Sequence, residues 1–277
     1  MKYDIFHRTR YVYATPVCDS FNDVRLEPLA NAEQTVESFL LRVLPAGRMN
    51  RYTDFYSNWV HHFEIPEAHL YLLIESQSRV KTHPPAPLAG DVRPCPLEKL
   101  GKDPDIEHCH DFLQSSRYVE LEVEAWRLAV DATAGQTDAW QSALALMHFC
   151  HGYLKYEPHS THVHTHVSEV ISQRRGVCQD YAHLMIGLCR SMKIPARYVS
   201  GYLATETASA SHAWVEVFIP GPGWRALDPT HNRQMDETYV KIGVGRDYAD
   251  VPPVAGHYRG TLNRKMEVEV KITPVES

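Results

Sequence analysis

The sequence predicts an α+β protein: an antiparallel β-sandwich-like module, followed by helices packed on a second antiparallel sheet. Three observations predict it. The first 80 residues are β-rich runs between turn-forming segments, the first of them alternating; a stretch dense in proline and glycine follows, "KTHPPAPLAGDVRPCPLEKLGKDP"; beyond it, helical periodicity comes first and strands come after. These transitions divide the chain into a β-rich module over residues 1–83, a linker over 84–105, a core over 106–232, and a tail over 233–277. The tail carries a strand at about 264–274 that is placed to rejoin the first sheet.

In the first module, "YDIFHRTRYVY" alternates at period two, and "TVESFLLRVLP" and "HLYLLIESQSRV" are β-rich runs. "DFYSNWVHHFEIP" holds an Asn and a break suited to a hairpin between two more short strands. After the linker, "TDAWQSALALMHFCHGYL" opens on Thr137 or Asp138 as N-cap. Trp140, Ala143, Leu144, Met147 and Cys150 recur at helical spacing, with Gly152 suited to the stop. A second helix spans Gln179 to Met192, its buried stripe made of Tyr181, Leu184, Met185, Leu188, Cys189 and Met192, and Lys193 and Pro195 end it. The strands "ARYVSGYLA", "SHAWVEVFI" and "GWRALDP" follow, and "KMEVEVKITPV" alternates strictly in the tail.

Composition narrows the function. The 277 residues suffice for one large or two medium domains, and the net charge of -6, with no basic stripe, argues against nucleic acid as a partner. No run approaches a membrane span, so no membrane partner is expected. "MKYDIFHRTRYVYATPV" lacks the apolar stretch of a signal peptide, which points to a cytoplasmic protein. Cys18, Cys95, Cys109, Cys150, Cys178 and Cys189 are scattered without a C-x-x-C pair and read as free thiols.

One of the six is out of the ordinary. Cys178 follows Gly176 and Val177 and stands at the mouth of the second helix, where unpaired N–H groups and the macrodipole favour a thiolate. Cys189, eleven residues on, belongs to the apolar stripe. On local sequence alone Cys178 is equally a nucleophile or a buried helix-start residue. A nucleophile needs a base and an orienter for that base. His212 opens one strand and Asp228 closes the next, so the two could meet across a hairpin. Pairing Ile219 with Trp224 around "PGPG" would set them on opposite faces, so the arrangement demands an odd-length loop or a bulge near Gly221 to Gly223.

"GVCQDYAHLMIGLCRSMKIPARYVSGYL" followed by "SHAWVEVFIPGPGWRALDPTH" resembles the core of the bacterial transglutaminase-like superfamily, whose members are papain-related cysteine enzymes. A Cys at a helix start, the "IPARYVSGY" strand, the "SHAWVEV" strand and the "W-x-x-x-DPT" strand come in matching order, with 34 residues from Cys to His and 16 from His to Asp. The likeness covers roughly residues 135 to 232, and the β-rich first 80 residues resemble the N-terminal domain that precedes this core in bacteria. The resemblance implies a papain-like transglutaminase core with Cys178 as nucleophile, His212 as general base and acid, and Asp228 holding the imidazole tautomer. It implies acyl transfer through a thioester, without cofactor or metal, on a peptide or protein substrate. Hydrolysis is the leading activity, transfer to an amine the alternative, and a non-enzymatic peptide-binding module the reading from another class. The Cys178 N–H is the natural oxyanion donor. Trp140 is either a second donor or a core aromatic, Asp180 a cap or a catalytic group, and Trp214 and Tyr202 either line a groove or pack.

Other signals are weaker. In the run His159, His162, His164 and His166, with Glu169 beyond, the histidines at i, i+2 and i+4 share one face of an extended strand and could ligate zinc, or the stretch is a solvated loop upstream of Cys178. The histidine pairs at 61–62 and 108–110 read as surface or packing, and His231 in "DPTH" as a turn residue. There is no phosphate-cradling glycine loop and no solenoid repeat. The oligomeric state is left open.

Overall fold

The computed structural model describes residues 1–85, 95–204 and 209–275, so residues 86–94 of the expected linker lie outside the described residues. The N-terminal half is organised by one long strand. β1 (Lys2–Val24) buries alternate residues, as its period-two pattern requires, and takes different partners along its length. Its first half pairs with β5 (His69–Thr82), which carries β2 (Gln34–Leu44) on its far side. Its second half pairs with β4 (Trp59–Ile65), and β4 forms a hairpin with β3 (Met49–Thr53). Register shifts between Val12 and Val17 and between Cys18 and Phe21 bend β1, so the seven-stranded sheet curls around Tyr11, Val24, Phe63, Leu72 and Ile74. Asp54 builds the β3–β4 turn by accepting from the Tyr56 and Asn58 amides through Oδ1, each at 3.0 Å.

The helical segment contains more than its sequence pattern disclosed. A short α1 (Leu97–Leu100) and a 3₁₀ stretch (Pro104–Leu113) lead to α2 (Val123–Ala132) and α3 (Ala139–Tyr153). Asp138 is the N-cap of α3, accepting from the Gln141 amide at 3.0 Å. Gly152 lies inside this helix; the chain leaves it at Leu154. A two-residue β6 (Lys155–Tyr156) pairs with β7 (Arg175–Gly176), and α4 (Val167–Gln173) lies between them in the chain. α5 (Cys178–Ser191) begins one residue earlier than the apolar stripe suggests and is buried throughout from Gln179 to Arg190.

α5 packs on a five-stranded antiparallel sheet ordered β11 (Arg233–Gln234), β10 (Gly223–Asp228), β9 (Ser209–Ile219), β8 (Ala196–Ala204) and β12 (Tyr239–Gly245). Leu184, Met185 and Leu188 of the helix share a core with Ala213, Val215 and Val217 of β9; each of the leucine, methionine and valine side chains, fully buried, contributes about 1.5–3 kcal/mol. Arg190 is also fully buried there, and carbonyls satisfy it: it donates to Phe112, Gln114, Ala196 and Arg246, and to the Ser116 hydroxyl. The last strands return to the first sheet. β13 (Val254–Arg259) pairs with the second half of β1, and β14 (Arg264–Pro274) runs antiparallel to its first half from Tyr13↔Arg264 to Tyr3↔Pro274. No helix among the described residues is long and apolar enough to cross a membrane.

The two sheets meet at β12, the outer strand of the core. Gln34 donates to the Lys241 carbonyl and accepts from its amide, both at 2.8 Å. Asn58 treats Val244 the same way, at 2.8 and 2.7 Å. Side-chain amides thus pair with an edge that would otherwise expose its ladder. Nearby, Glu216 is buried against Arg197, at 2.6 Å, and Lys241; burial opposes its charge, but the two cations outweigh it and hold the carboxyl down at about 2. Asn58→Leu leaves both β12 groups unpaired and should lower stability by about 2–4 kcal/mol, read as a lower urea midpoint at unchanged slope. Because the Glu216 pKa is depressed on folding, its contribution is complete above the ordinary value of 4.5 and lost as pH falls through about 2. Glu216→Gln should therefore remove about 3 kcal/mol at neutral pH and flatten the acid limb of an unfolding titration.

Candidate active site

The site begins where α4 ends. Arg174 terminates that helix in the left-handed region (φ 53°), and β7 then brings the chain under the N-terminus of α5. Val177 is the N-cap, and Cys178 occupies the first helical position, half-buried. Asp180 completes a capping box: its Oδ2 accepts from the Val177 amide at 2.7 Å and from the Thr161 hydroxyl at 2.6 Å. Burial pushes the Asp180 carboxyl upward despite these bonds. A Cβ on Gly176 would fall 2.5 Å from the Asp180 Cβ and Oδ2, so only glycine admits this approach. Gln179 donates to the Val163 carbonyl at 3.1 Å, and together with the Thr161 bond this fastens the loop from Glu157 to His166 beside the helix mouth. Cys189 lies fully buried on the same helix, its thiol pushed up to about 12 by burial.

The β9–β10 hairpin decides the rest. Gly223 pairs with Ile219 and Leu227 with Val215, so the loop is three residues long, Pro220 to Pro222, with Gly221 (φ 86°) inside it and Gly223 (φ 78°) just after. In this register residues of equal parity share a face, and His212 and Asp228 meet: His212 Nε2 lies 2.8 Å from Asp228 Oδ2. Cys178 also lies near enough to His212 to favour the charged ring. With Nε2 engaged by the carboxylate, Nδ1 is the nitrogen left for the thiol. Burial disfavours the imidazolium, but the bond to Asp228 and the nearby Cys178 outweigh it and hold His212 up at about 9.

Asp228 is almost wholly buried. Its Oδ1 accepts from the amides of Thr230 and His231 at 2.9 and 3.2 Å, forming the turn after Pro229. Its Oδ2 accepts from His212, from His231 Nδ1 at 2.8 Å and from the Tyr239 hydroxyl at 2.7 Å. Burial alone would raise this carboxyl; the donors overcome it and hold it far below the usual range. The sequence placed His231 in a turn, which it is, but missed the bond its ring makes; the Asp-Pro-Thr-His spacing was the available signal. Tyr239, on β12, had no local signal at all. Tyr156, exposed on β6, lies near enough to feel a charge on Cys178 and was likewise unread.

Other expected residues sort cleanly. Trp140 belongs to the core around α3 and α5, and Trp214 and Tyr202 are fully buried, Tyr202 against His7, so these two pack instead of lining a groove. Asp180 caps. The loop histidines have separate partners: His164 bonds the Tyr118 hydroxyl at 2.8 Å, His166 bonds Glu120, and His162 faces Thr165. Among the described residues, three metal-ligating side chains gather only at His212, Asp228 and His231, their ligand atoms within 4.8 Å. Both ring nitrogens there aim at the carboxylate oxygen itself, which makes the cluster a hydrogen-bonded one. Gly176→Ala should displace Asp180, unseat the cap and lower stability by about 1–3 kcal/mol, with slowed alkylation of Cys178 as the local readout.

Residues 3–81 match the family described as the bacterial transglutaminase-like N-terminal region, and residues 127–229 match the transglutaminase-like superfamily. An uncharacterised protein of Mycobacterium leprae is 34% identical over 277 residues, covering 97% of each chain. A protein-glutamine gamma-glutamyltransferase of Pseudomonas aeruginosa is 35% identical over 104 residues, 31% of this chain and 15% of that one. Among solved structures, a candidate cysteine protease from Cytophaga hutchinsonii superposes with a TM-score of 0.81 at 24% identity, over 100% of this chain and 91% of its own.

Proposed function

The chain belongs to the transglutaminase-like superfamily, and from that premise we propose that it is a cysteine-dependent acyl-transfer enzyme that hydrolyses peptide or isopeptide amides. The observation that carries this is the His212–Asp228 hydrogen bond set beside Cys178 at the positive end of α5. The Cys178 thiolate attacks the amide carbonyl, and the oxyanion that forms accepts from the Cys178 backbone N–H. His212, protonated at neutral pH, donates to the departing amine and leaves a thioester. A water molecule then attacks that thioester; His212 takes its proton, the Cys178–carbonyl bond breaks, and the acid is released. Asp228 keeps the ring in the tautomer that presents Nδ1 to sulfur.

The stretch shared with the gamma-glutamyltransferase supports a second reading in which an amine replaces water at the thioester. Mass analysis of products formed from a glutamine peptide, with and without a primary amine, separates the two: an adduct heavier by the amine favours transfer, the free acid favours hydrolysis. Neither product from any acyl donor would leave a peptide-binding module. The six thiols, unpaired in the structure, suit a reducing compartment such as the cytoplasm, which cell fractionation reads directly.

Two outcomes are expected. One equivalent of iodoacetamide should label Cys178 at least tenfold faster than buried Cys189, and Cys178→Ser should abolish turnover in a folded protein; equal labelling rates would sink the assignment. Because His212 must carry a proton to deliver it, kcat/KM should fall as pH rises through about 9.

A further inference from the structure

The mechanism above uses one of the three side-chain contacts at Asp228 Oδ2. The other two come from separate elements and are built with equal care. His231 reaches the oxygen from the turn after β10, where its own amide and that of Thr230 fix Oδ1 and so set the rotation of the carboxylate. Tyr239 reaches it from β12, and its hydroxyl accepts from Arg233 Nε at 2.8 Å. A phenol that accepts from a guanidinium has one proton to give, and here it points to Asp228. A carboxylate only accepts, so His231 Nδ1 carries its proton as well, and so does His212 Nε2. The ring centroids of His212 and His231 are 5.1 Å apart, yet His231 is 45% exposed where His212 is enclosed.

Resting on the acyl-transfer reading, we propose that His231 and Tyr239 are positioning residues that divide the Asp228 carboxylate among three donors and so limit its pull on the His212 imidazolium. A carboxylate bonded to His212 alone would concentrate its charge there and stabilise the imidazolium further. The ring would then hold its proton when the departing amine needs it. Sharing the charge keeps Asp228 anionic and correctly turned while leaving His212 a competent acid. The charged and titratable groups that face this cluster are Cys178 from α5, His212 from β9, Arg233 from β11, Tyr239 from β12 and His231 itself, with Asp236 paired to Arg233 at 3.6 Å and, from α3, His151 on the Thr230 carbonyl and His148 on Asn232 of the same turn.

The test is an NMR titration of the His212 ring in the full-length Cys178→Ser protein, which needs no turnover. Adding His231→Ala or Tyr239→Phe should raise the His212 midpoint by roughly half to one unit. In the enzyme with Cys178 intact, the same changes should move the alkaline limb upward and lower kcat about tenfold while KM stays near its starting value. His231→Asn places an amide N–H where the imidazole Nδ1–H stood and should restore both. An unchanged or lowered His212 midpoint in either folded variant overturns the inference, as does a failure of asparagine to rescue. Should the parent protein transfer no acyl group at all, the functional reading falls, and the His212 titration still decides the sharing of Asp228.

Discussion

The parity of one hairpin governs the site. A three-residue turn between β9 and β10 sets Gly223 against Ile219, and every side chain beyond inherits that register. A slip by one residue would carry His212 and Asp228 to opposite faces and dissolve the contact at 2.8 Å. Gly221 and Gly223, both at positive φ, make the odd turn accessible at little strain. A separate ladder, β8 against β9, sets Arg197 directly opposite Glu216, with Lys241 reaching the same carboxylate from β12.

The first sheet does more than precede the core. Its amide side chains complete the outer edge of β12, and Tyr3, Ile5 and Val80 pack on Tyr202, Val240 and Ile242. β12 is also the strand that delivers the Tyr239 hydroxyl to Asp228. The N-terminal module therefore braces, through one strand, a donor in the most buried part of the site. Geometry at the carboxylate depends on packing set by residues far upstream in the chain.

What the sequence disclosed follows from the range of the forces involved. The long alternations of β1, β5 and β14, the Asp138 cap and the strands β8 to β10 are local patterns, and they are legible for that reason. Cys178, His212 and Asp228 stood out because a helix mouth and two strand ends are local too, and their order along the chain resembles a family. The even register was legible only as a demand on the loop, since two prolines and two glycines admit several turns. Tyr239 was invisible: nothing in "DETYVKIGVG" says that its hydroxyl meets an acid from another strand. Trp214 and Tyr202 stayed ambiguous for the converse reason, as an aromatic beside the His212 strand can serve a groove or a core, and burial alone separates the cases. Nothing in the local sequence marks Arg190 as buried; carbonyls from several loops keep it inside.

The ladder between β1 and β14 joins stretches far apart along the chain, with Tyr3 opposite Pro274 at one end. During synthesis, β1 can find β5 early, but its other edge stays open from Tyr3 to Tyr13 until β14 emerges from the ribosome. An unpaired edge of that length is a template for a second chain. Ordering so distant a pair also weighs on the folding rate, because loop closure must precede any gain from the contacts. The strand that finishes the first sheet is thus held back until the second sheet has been made.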